Sequence, residues 1–535
     1  MPSAIVAPQP FAVEEGAKVL MAGGNAVDAA VTTAFVQAIV SPQMCGIGGY
    51  ALLTLHLAGQ PDPIGLDAPA LAGAGVTPGM WQERYLGPNP DGWGFFLEGK
   101  VNDAGYTSIC TPGWIKGIAA ILERWGTISW ADAIAPAARI AGEGFMVNQH
   151  LAGRWTKKAA YAEACSMLDY IMMNGEARRI YLKPDGSPYA TGDLLRNPDY
   201  AKTLDHLAGA GADDFYHGEL AARMASDLAD NGAYVTAQDL HDYRLREDNL
   251  VTGTYRGYTI ASSGAPHGGP TLLAILNILE RYDLASMQHN SPDYVYLVAM
   301  AMKAAFADRN RGMADPEFNQ VPVEWMISKE RAAFWADHID AGQPIDAGFH
   351  ATEPPHTTQV TVVDALGNCV ALTHSLGMSS GVITPGLGFM YNNSMVNFDP
   401  LPGHPNSIEP GKGRTTGMAP TIVYRDGRPV LVLGAPGASF IITSNLQVIL
   451  NVLDFGMGIE EAVHAPRFDC QTGPIRCQLR IPEYVCAQIR EKHPVVRIPY
   501  SHGGFALVHA ISIDPESGAL AGAADPGADG MALVV

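Results

Sequence analysis

Charge is scarce in this sequence, and positive charge scarcer still. Only 16% of its 535 residues are charged, with 34 basic against 54 acidic side chains and a formal net charge of −20. Nucleic acid and anionic membrane surfaces both recruit basic protein surface, so neither is an expected partner. Cysteine is sparse as well. The seven (Cys45, Cys110, Cys165, Cys369, Cys470, Cys477 and Cys486) are odd in number and never form a CxxC pair, so reduced thiols are the expectation. No apolar run reaches membrane-spanning length without a charge or a breaker; YVYLVAMAM stops at Lys303. The opening MPSAIVAPQPFAVEEGAKVL has neither a basic n-region nor an uninterrupted apolar core. A cytoplasmic location is therefore expected, or a periplasmic one if a leader has been removed. Other chemistries lack their signatures too: there is no HExxH, no Walker loop and no EF-hand loop, and GIGGY lacks dinucleotide-fingerprint spacing. His267 in APHGGP and His502 in SHGG read as loop residues rather than metal ligands, because no second ligand stands at a fixed spacing.

What is present is a large apolar fraction, 47%, punctuated by 58 glycines and 38 prolines. That describes a loop-rich globular chain able to bury a big core, and length alone would suggest about three domains. Residues 9–40 read as two helices broken at Gly23-Gly24, with Asn25 as the N-cap of the second. MCGIGGYALLTLHL is a glycine-rich turn into a strand. From Pro112 to about Gln343 the texture is mostly amphipathic helix. AGQPIDAGFHATEPPH (341–356) reads as an exposed linker. Beyond it, short strands and tight turns dominate, with ASFIITSNLQVILNVLDFG as a single helix among them. Sheets covered by helices, in one extended α+β body, are the expected architecture.

The stretch after the linker, HTTQVTVVDALGNCVALTHS, is a candidate hairpin. A turn at Asp364–Asn368 sets Val363 opposite Cys369 and Thr357 opposite Ser375. Thr357, Gln359, Thr361, Thr373 and Ser375 then share one face, since side chains alternate with period two. Directly opposed Cβ atoms lie about 5 Å apart, close enough for two hydroxyls to meet. Paired threonines at a strand head express β-propensity in most proteins. They have a second use: if the chain were cut between His356 and Thr357, the new α-amine, with a pKa near 8, could serve as general base for the Thr357 hydroxyl. Such a nucleophile needs backbone N–H donors for its tetrahedral oxyanion. The GAPGASFIITS stretch, where Gly434–Ala438 lead into a helix, is a loop of that kind, or an ordinary strand-to-helix turn.

Nearly the whole chain resembles the γ-glutamyltransferase family of N-terminal-nucleophile hydrolases. GGNAVDAAV with IVSPQMCGIGG resembles the family's opening, SSGAPHGGPTLLAILNILE and AFADRNRGMADPEF its middle, and TTQVTVVDALGNCVALT the start of its small subunit. GMAPTIV, GAPG and EAVHAPRFD follow in family order. The resemblance implies a four-layer αββα sandwich shared by a large chain (1–356) and a small chain (357–535), and self-cleavage between His356 and Thr357. It also implies no metal or organic cofactor. The partners it implies are a small-molecule amide substrate and the two chains themselves, held as a heterodimer that could pair further. By the same resemblance Thr357 is the nucleophile, Ser375 takes the place of a second threonine bonded to it, and Gly437 and Ala438 stand where an oxyanion glycine pair is usual.

The substrate clamp departs from the family pattern. An arginine ahead of Ala-Pro holds the glutamyl carboxylate in the family; here Asp67 precedes Ala68-Pro69, and no arginine occurs before Arg84. Gly377 stands where an asparagine is usual, Ser394 replaces a glutamine, Asn397 replaces a carboxylate, and Thr416-Gly417 replace a serine pair. Losing a guanidinium fork weakens carboxylate recognition. Arg414 could substitute from the other side, although beside Lys412 it reads as a surface residue. The pattern favours an amidohydrolase or acylase whose acyl group is not γ-glutamyl, with Asp67, Gly377, Ser394, Asn397, Thr416 and Gly417 around the acyl pocket. An ordinary γ-glutamyltransferase or glutathione hydrolase, and an uncleaved binding protein, are the competing readings.

Overall fold

The computed structural model describes residues 2–90, 94–349 and 357–535. Two antiparallel sheets lie face to face, with helices over both outer faces. The first runs, strand by strand across the sheet, Met531–Val534, Ala4–Ala7, Thr358–Val363, Cys369–Ser375, Tyr50–His56, Ile64–Ala68 and Arg246–Glu247. The second runs Leu520–Ala524, His509–Ile513, Arg428–Gly434, Thr421–Arg425, Tyr258–Ser263 and Leu250–Tyr255. Each sheet draws strands from both sides of the 341–356 stretch, so the segments before and after it form one interleaved body. The linker expectation is met as far as residue 349, where the chain is irregular and mostly exposed; 350–356, including His356, lie outside the described residues.

The sequence explains which layer each helix occupies. Asn25 caps Ala26–Val40 through a capping box with Asp28, as the sequence suggests. Every residue of that helix is buried, because it lies between the first sheet and the helices Pro10–Met21 and Trp130–Glu143. Gly269–Leu279 is likewise buried along its whole length, against Pro292–Gly312 and Phe440–Leu453 on the other outer face. A helix apolar all round belongs in such an inner position.

The layer between the sheets is divided. One part is apolar: Ala4, Val6, Val363, Cys369 and Ala371 of the first sheet meet Ala261, Ile422, Val432 and Ile511 of the second. Toward the head of Thr358–Val363 the layer turns polar. Thr361 Oγ1 donates to the His509 carbonyl (3.0 Å), Thr54 Oγ1 to the Pro420 carbonyl (2.8 Å), and Thr373 Oγ1 to Gln359 Oε1 (2.5 Å). Buried hydroxyls and amides cost free energy unless bonded, and these are bonded. Val360 and Val362, on the alternate face of the same strand, pack against the helices.

Candidate functional site

The observed hairpin pairs Thr358 with His374 and Val363 with Cys369, the register expected from the Asp364–Asn368 turn. Asp364 builds that turn, its Oδ1 accepting the N–H groups of Leu366 and Asn368. One step beyond the last pair, Thr357 Oγ1 donates to Ser375 Oγ at 3.2 Å, and Ser375 Oγ also accepts the Gly377 N–H at 2.9 Å. Both hydroxyl residues are buried, at 1% and 0% exposure.

A hydrogen-bonded chain on the helix side holds this strand head. Trp114 Nε1–H donates to His374 Nδ1 (3.0 Å), so the neutral imidazole carries its proton on Nε2 and gives it to Gln37 Oε1 (2.8 Å). Gln37 Nε2 then donates to Thr358 Oγ1 (3.0 Å) and to the Gln359 carbonyl (3.1 Å). Burial pushes the His374 pKa down to about 3, consistent with a neutral ring. The sequence reading missed Gln37 and His374. His374 in LTHS was visible beside Ser375, but its partner lies 337 residues away.

On the second sheet, the strand Arg428–Gly434 runs over Gln359: a Cβ on Gly434 would sit 2.3 Å from Gln359 Oε1. That close approach brings the following loop, Ala435–Ser439, to the Thr357 end of the sandwich. Gly437 has φ +143, and a Cβ there would meet Ala506 Cα at 2.4 Å. Ala438 has φ +59. It keeps a backbone conformation suited to glycine, at a cost of about 1–2 kcal/mol for an L-residue. The loop feeds the helix Phe440–Leu453, which has no acidic residue in its first turn, so the positive end of its dipole is left for an anion.

The residues expected around the acyl pocket fall into distinct local roles. Asp67 lies in the next-to-edge strand of the first sheet, paired with Leu52 on one side and Arg246 on the other, and its Oδ2 accepts from His267 Nε2 (2.9 Å) and Asn249 Nδ2 (3.1 Å). On the other side of the ring, the Thr416 hydroxyl lies 2.9 Å from His267 Nδ1. His267 does sit in a loop, yet it is buried to 2% exposure as the middle of an Asp–His–Thr relay. Gly377 has φ +72, and a Cβ would stand 2.5 Å from Asn393 Oδ1. The missing side chain there is thus a requirement of the turn. Ser394 is fully buried, its backbone N–H held by Asn392 Oδ1 (3.1 Å), while its hydroxyl has no hydrogen-bond partner among the described residues. Asn397 closes the same short helical turn, Ser394–Asn397, and its carbonyl accepts from Asn406 Nδ2 (2.7 Å). Gly417 lies flush against the loop after Gly437, since a Cβ would sit 2.3 Å from the Ala438 carbonyl oxygen.

Arg414 overturns the expectation of a surface residue. It is 3% exposed, its guanidinium stacked 4.6 Å from the ring centre of Tyr50 and bonded to the Tyr50 hydroxyl. Tyr50 is the residue directly opposite Ser375 on the neighbouring strand. Lys412 is buried as well, its Nζ bonded to the Ser407 carbonyl (3.0 Å) and Glu409 (2.7 Å). All seven cysteines are buried and none is in a disulfide. Among the described residues no helix is long and apolar enough to cross a membrane.

Comparison with known proteins places the chain among relatives of one family. The family model described as gamma-glutamyltranspeptidase matches residues 12–535. The Acylase ACY 1 proenzyme of Pseudomonas sp. (strain V22) is 37% identical, over 99% of this chain and 93% of its own length. The glutathione hydrolase proenzyme of Bacillus subtilis (strain 168) is 32% identical, over 98% and 90%. Among solved structures, a cephalosporin acylase from Bacillus halodurans superposes with a TM-score of 0.87 at 27% identity, covering 99% of this chain and 95% of its own.

Proposed function

The chain belongs to the γ-glutamyltranspeptidase family, enzymes that cleave or transfer acyl groups at amide bonds, and on that premise we propose that it is an autoprocessed N-terminal-threonine acylase whose acyl group is not γ-glutamyl. The observation that carries this reading is the 3.2 Å bond from Thr357 Oγ1 to Ser375 Oγ at the head of an inner strand of the first sheet. Relatives whose printed names are proenzymes, both acylase and glutathione hydrolase, support processing into a large chain, 1–356, and a small chain, 357–535. The interleaved sheets would hold those two chains together as a heterodimer without any covalent link. Seven unpaired cysteines support a cytoplasmic location.

In the proposed cycle the Thr357 α-amine takes the hydroxyl proton as Oγ1 attacks the amide carbonyl. Ser375 holds the attacking oxygen in line. The N–H groups of Gly437 and Ala438 receive the oxyanion, aided by the helix that starts at Phe440. Collapse of the tetrahedral intermediate breaks the C–N bond, and the proton held by the α-amine passes to the leaving amine. Water then attacks the threonine ester, and the acid departs with Oγ1 reprotonated. The acyl pocket would be bordered by Ser394 and Asn397. Neither a carboxylate at 397 nor an arginine ahead of Ala68-Pro69 is there to hold a glutamyl zwitterion.

Intact mass under denaturing conditions tests the reading, for wild type and Thr357→Ala. Fragments 1–356 and 357–535 from wild type, and an unbroken chain from the variant, are expected. A single chain in both would leave a binding protein as the better account. Turnover of γ-glutamyl-p-nitroanilide in preference to simple acyl anilides would return the enzyme to the glutathione hydrolase branch.

A further inference from the structure

The Asp67–His267–Thr416 relay does not appear in the cycle above, and its placement says what it could do. Its members are 0%, 2% and 4% exposed, so the two 2.9 Å contacts are shielded from water. Backbone bonds stitch the His267 loop to the Thr416–Met418 segment on both sides of the imidazole. Thr416 N–H donates to the Pro266 carbonyl (3.2 Å), and Gly268 N–H to the Met418 carbonyl (2.9 Å). Arg309 adds a clamp, donating to the carbonyls of His267 (3.1 Å) and Thr416 (2.7 Å). The stitched unit includes Gly417, where there is no room for a methyl group: a Cβ added there would stand 2.3 Å from the Ala438 carbonyl oxygen and 2.5 Å from Ser439 Cα. Ala438 is the residue held at φ +59. A strained backbone persists only where its surroundings over-determine it. Here the surroundings include the Gly417 segment, whose neighbour Thr416 has its hydroxyl 2.9 Å from His267 Nδ1.

We infer that Asp67, His267 and Thr416 are positioning residues for acyl transfer, acting through Gly417 on the oxyanion-binding N–H of Ala438. Two residues of the large chain thereby fix a donor of the small chain. The inference rests on the proposed oxyanion role of Gly437 and Ala438. It assigns Asp67 to this support rather than to direct contact with the acyl group.

Steady-state kinetics on an acyl-p-nitroanilide turned over by the wild type test it. His267→Ala and Thr416→Val should each lower kcat about tenfold to a hundredfold, the cost of an untethered donor or support group, with KM within about twofold. The double variant should be no slower than the worse single, since both break one relay. Thr416→Ser, which keeps the hydroxyl, should restore kcat. An unchanged kcat, a raised KM with kcat intact, or multiplicative losses would overturn the inference. If His267→Ala proves unstable on thermal unfolding, the near-isosteric Thr416→Val set against Thr416→Ser decides. A wild type that stays uncleaved and inactive refutes the proposed function itself, whereas an active wild type with unaffected variants refutes only the relay.

Discussion

Thr357 and Ser375 meet hydroxyl to hydroxyl at 3.2 Å across a two-strand register that also aligns Ser375 with Tyr50, the tyrosine on which Arg414 stacks. The nucleophile candidate is therefore one end of a buried polar line running through three neighbouring residues, with a guanidinium at its far end. Removing the Ser375 hydroxyl strips Thr357 Oγ1 of this acceptor and leaves the Gly377 N–H unbonded. A hydrogen bond of about 1–1.5 kcal/mol realised at the attacking atom is worth about tenfold in rate. Ser375→Ala should lower kcat by about that factor and slow self-cleavage in parallel. Time-resolved denaturing gels and anilide kinetics read both, and equal rates to wild type would contradict the role given to Ser375. Ser375→Thr should be near wild type.

The Gly437–Ala438 loop makes a second prediction, with opposite signs at adjacent residues. Ala438→Gly removes a positive-φ penalty of about 1–2 kcal/mol, partly offset by about 0.5–1 kcal/mol of added chain entropy, so stability should be unchanged or slightly raised and activity kept. Gly437→Ala puts a methyl group 2.4 Å from Ala506 Cα in a conformation an L-residue avoids. It should cost about 1–3 kcal/mol, as overpacking does, and displace the N–H. Thermal unfolding of the two variants beside wild type checks the pair; a stabilised Gly437→Ala would contradict the geometry.

Gly377 bears on specificity. A single Gly377→Asn exchange would bring back the residue usual in the family. At φ +72, with a Cβ 2.5 Å from Asn393 Oδ1, the new side chain would displace the Asn393 amide that now accepts the Met378 N–H at 2.7 Å. The variant should lose thermal stability and gain no γ-glutamyl-p-nitroanilide turnover. Appearance of that turnover would mean the glutamyl clamp is only one side chain away.

These cases separate what the sequence discloses from what it hides. The hairpin was legible because alternation and a five-residue turn fix a register, and the register alone pairs Thr357 with Ser375. The capped helix after Asn25 was legible from a local rule. The Leu250–Tyr255 and Tyr258–Ser263 strands were absorbed into a stretch read as helical, although Arg256-Gly257, both at positive φ, are the hairpin turn between two β-rich arms. Ala4–Ala7 was too short to register as a strand, yet it bridges the Met531–Val534 and Thr358–Val363 strands. His267, Asp67 and Thr416 span 349 positions, and nothing local says that they touch. The burial of Arg414 was invisible for the same reason, since its partner Tyr50 lies 364 residues away.

The neutral imidazole of His374 carries a prediction about acid. Its folded pKa, about 3, lies below the unfolded value of about 6.5, so between these limits the unfolded chain binds a proton that the native protein refuses. Stability contributed by the neutral ring is full above about pH 6.5 and is lost progressively as pH falls toward 3. His509 and His150, each lowered by burial to about 4, act in the same direction, while Asp103 and Asp469, raised by burial, oppose them. The His374 share is isolated by comparing wild type with His374→Gln across urea unfolding from pH 7 to pH 4. A glutamine can accept from Trp114 Nε1 and donate to Gln37 with no group to titrate. The variant should show a shallower loss of stability on acidification. It should also keep self-cleavage, because Gln37 still reaches Thr358 Oγ1 and the Gln359 carbonyl. His374→Leu removes both bonds and frees Gln37 from its anchor, so it should slow cleavage even at neutral pH. Identical slopes for wild type and His374→Gln would place the acid sensitivity in other titrating groups, such as the buried imidazoles of His509 and His150.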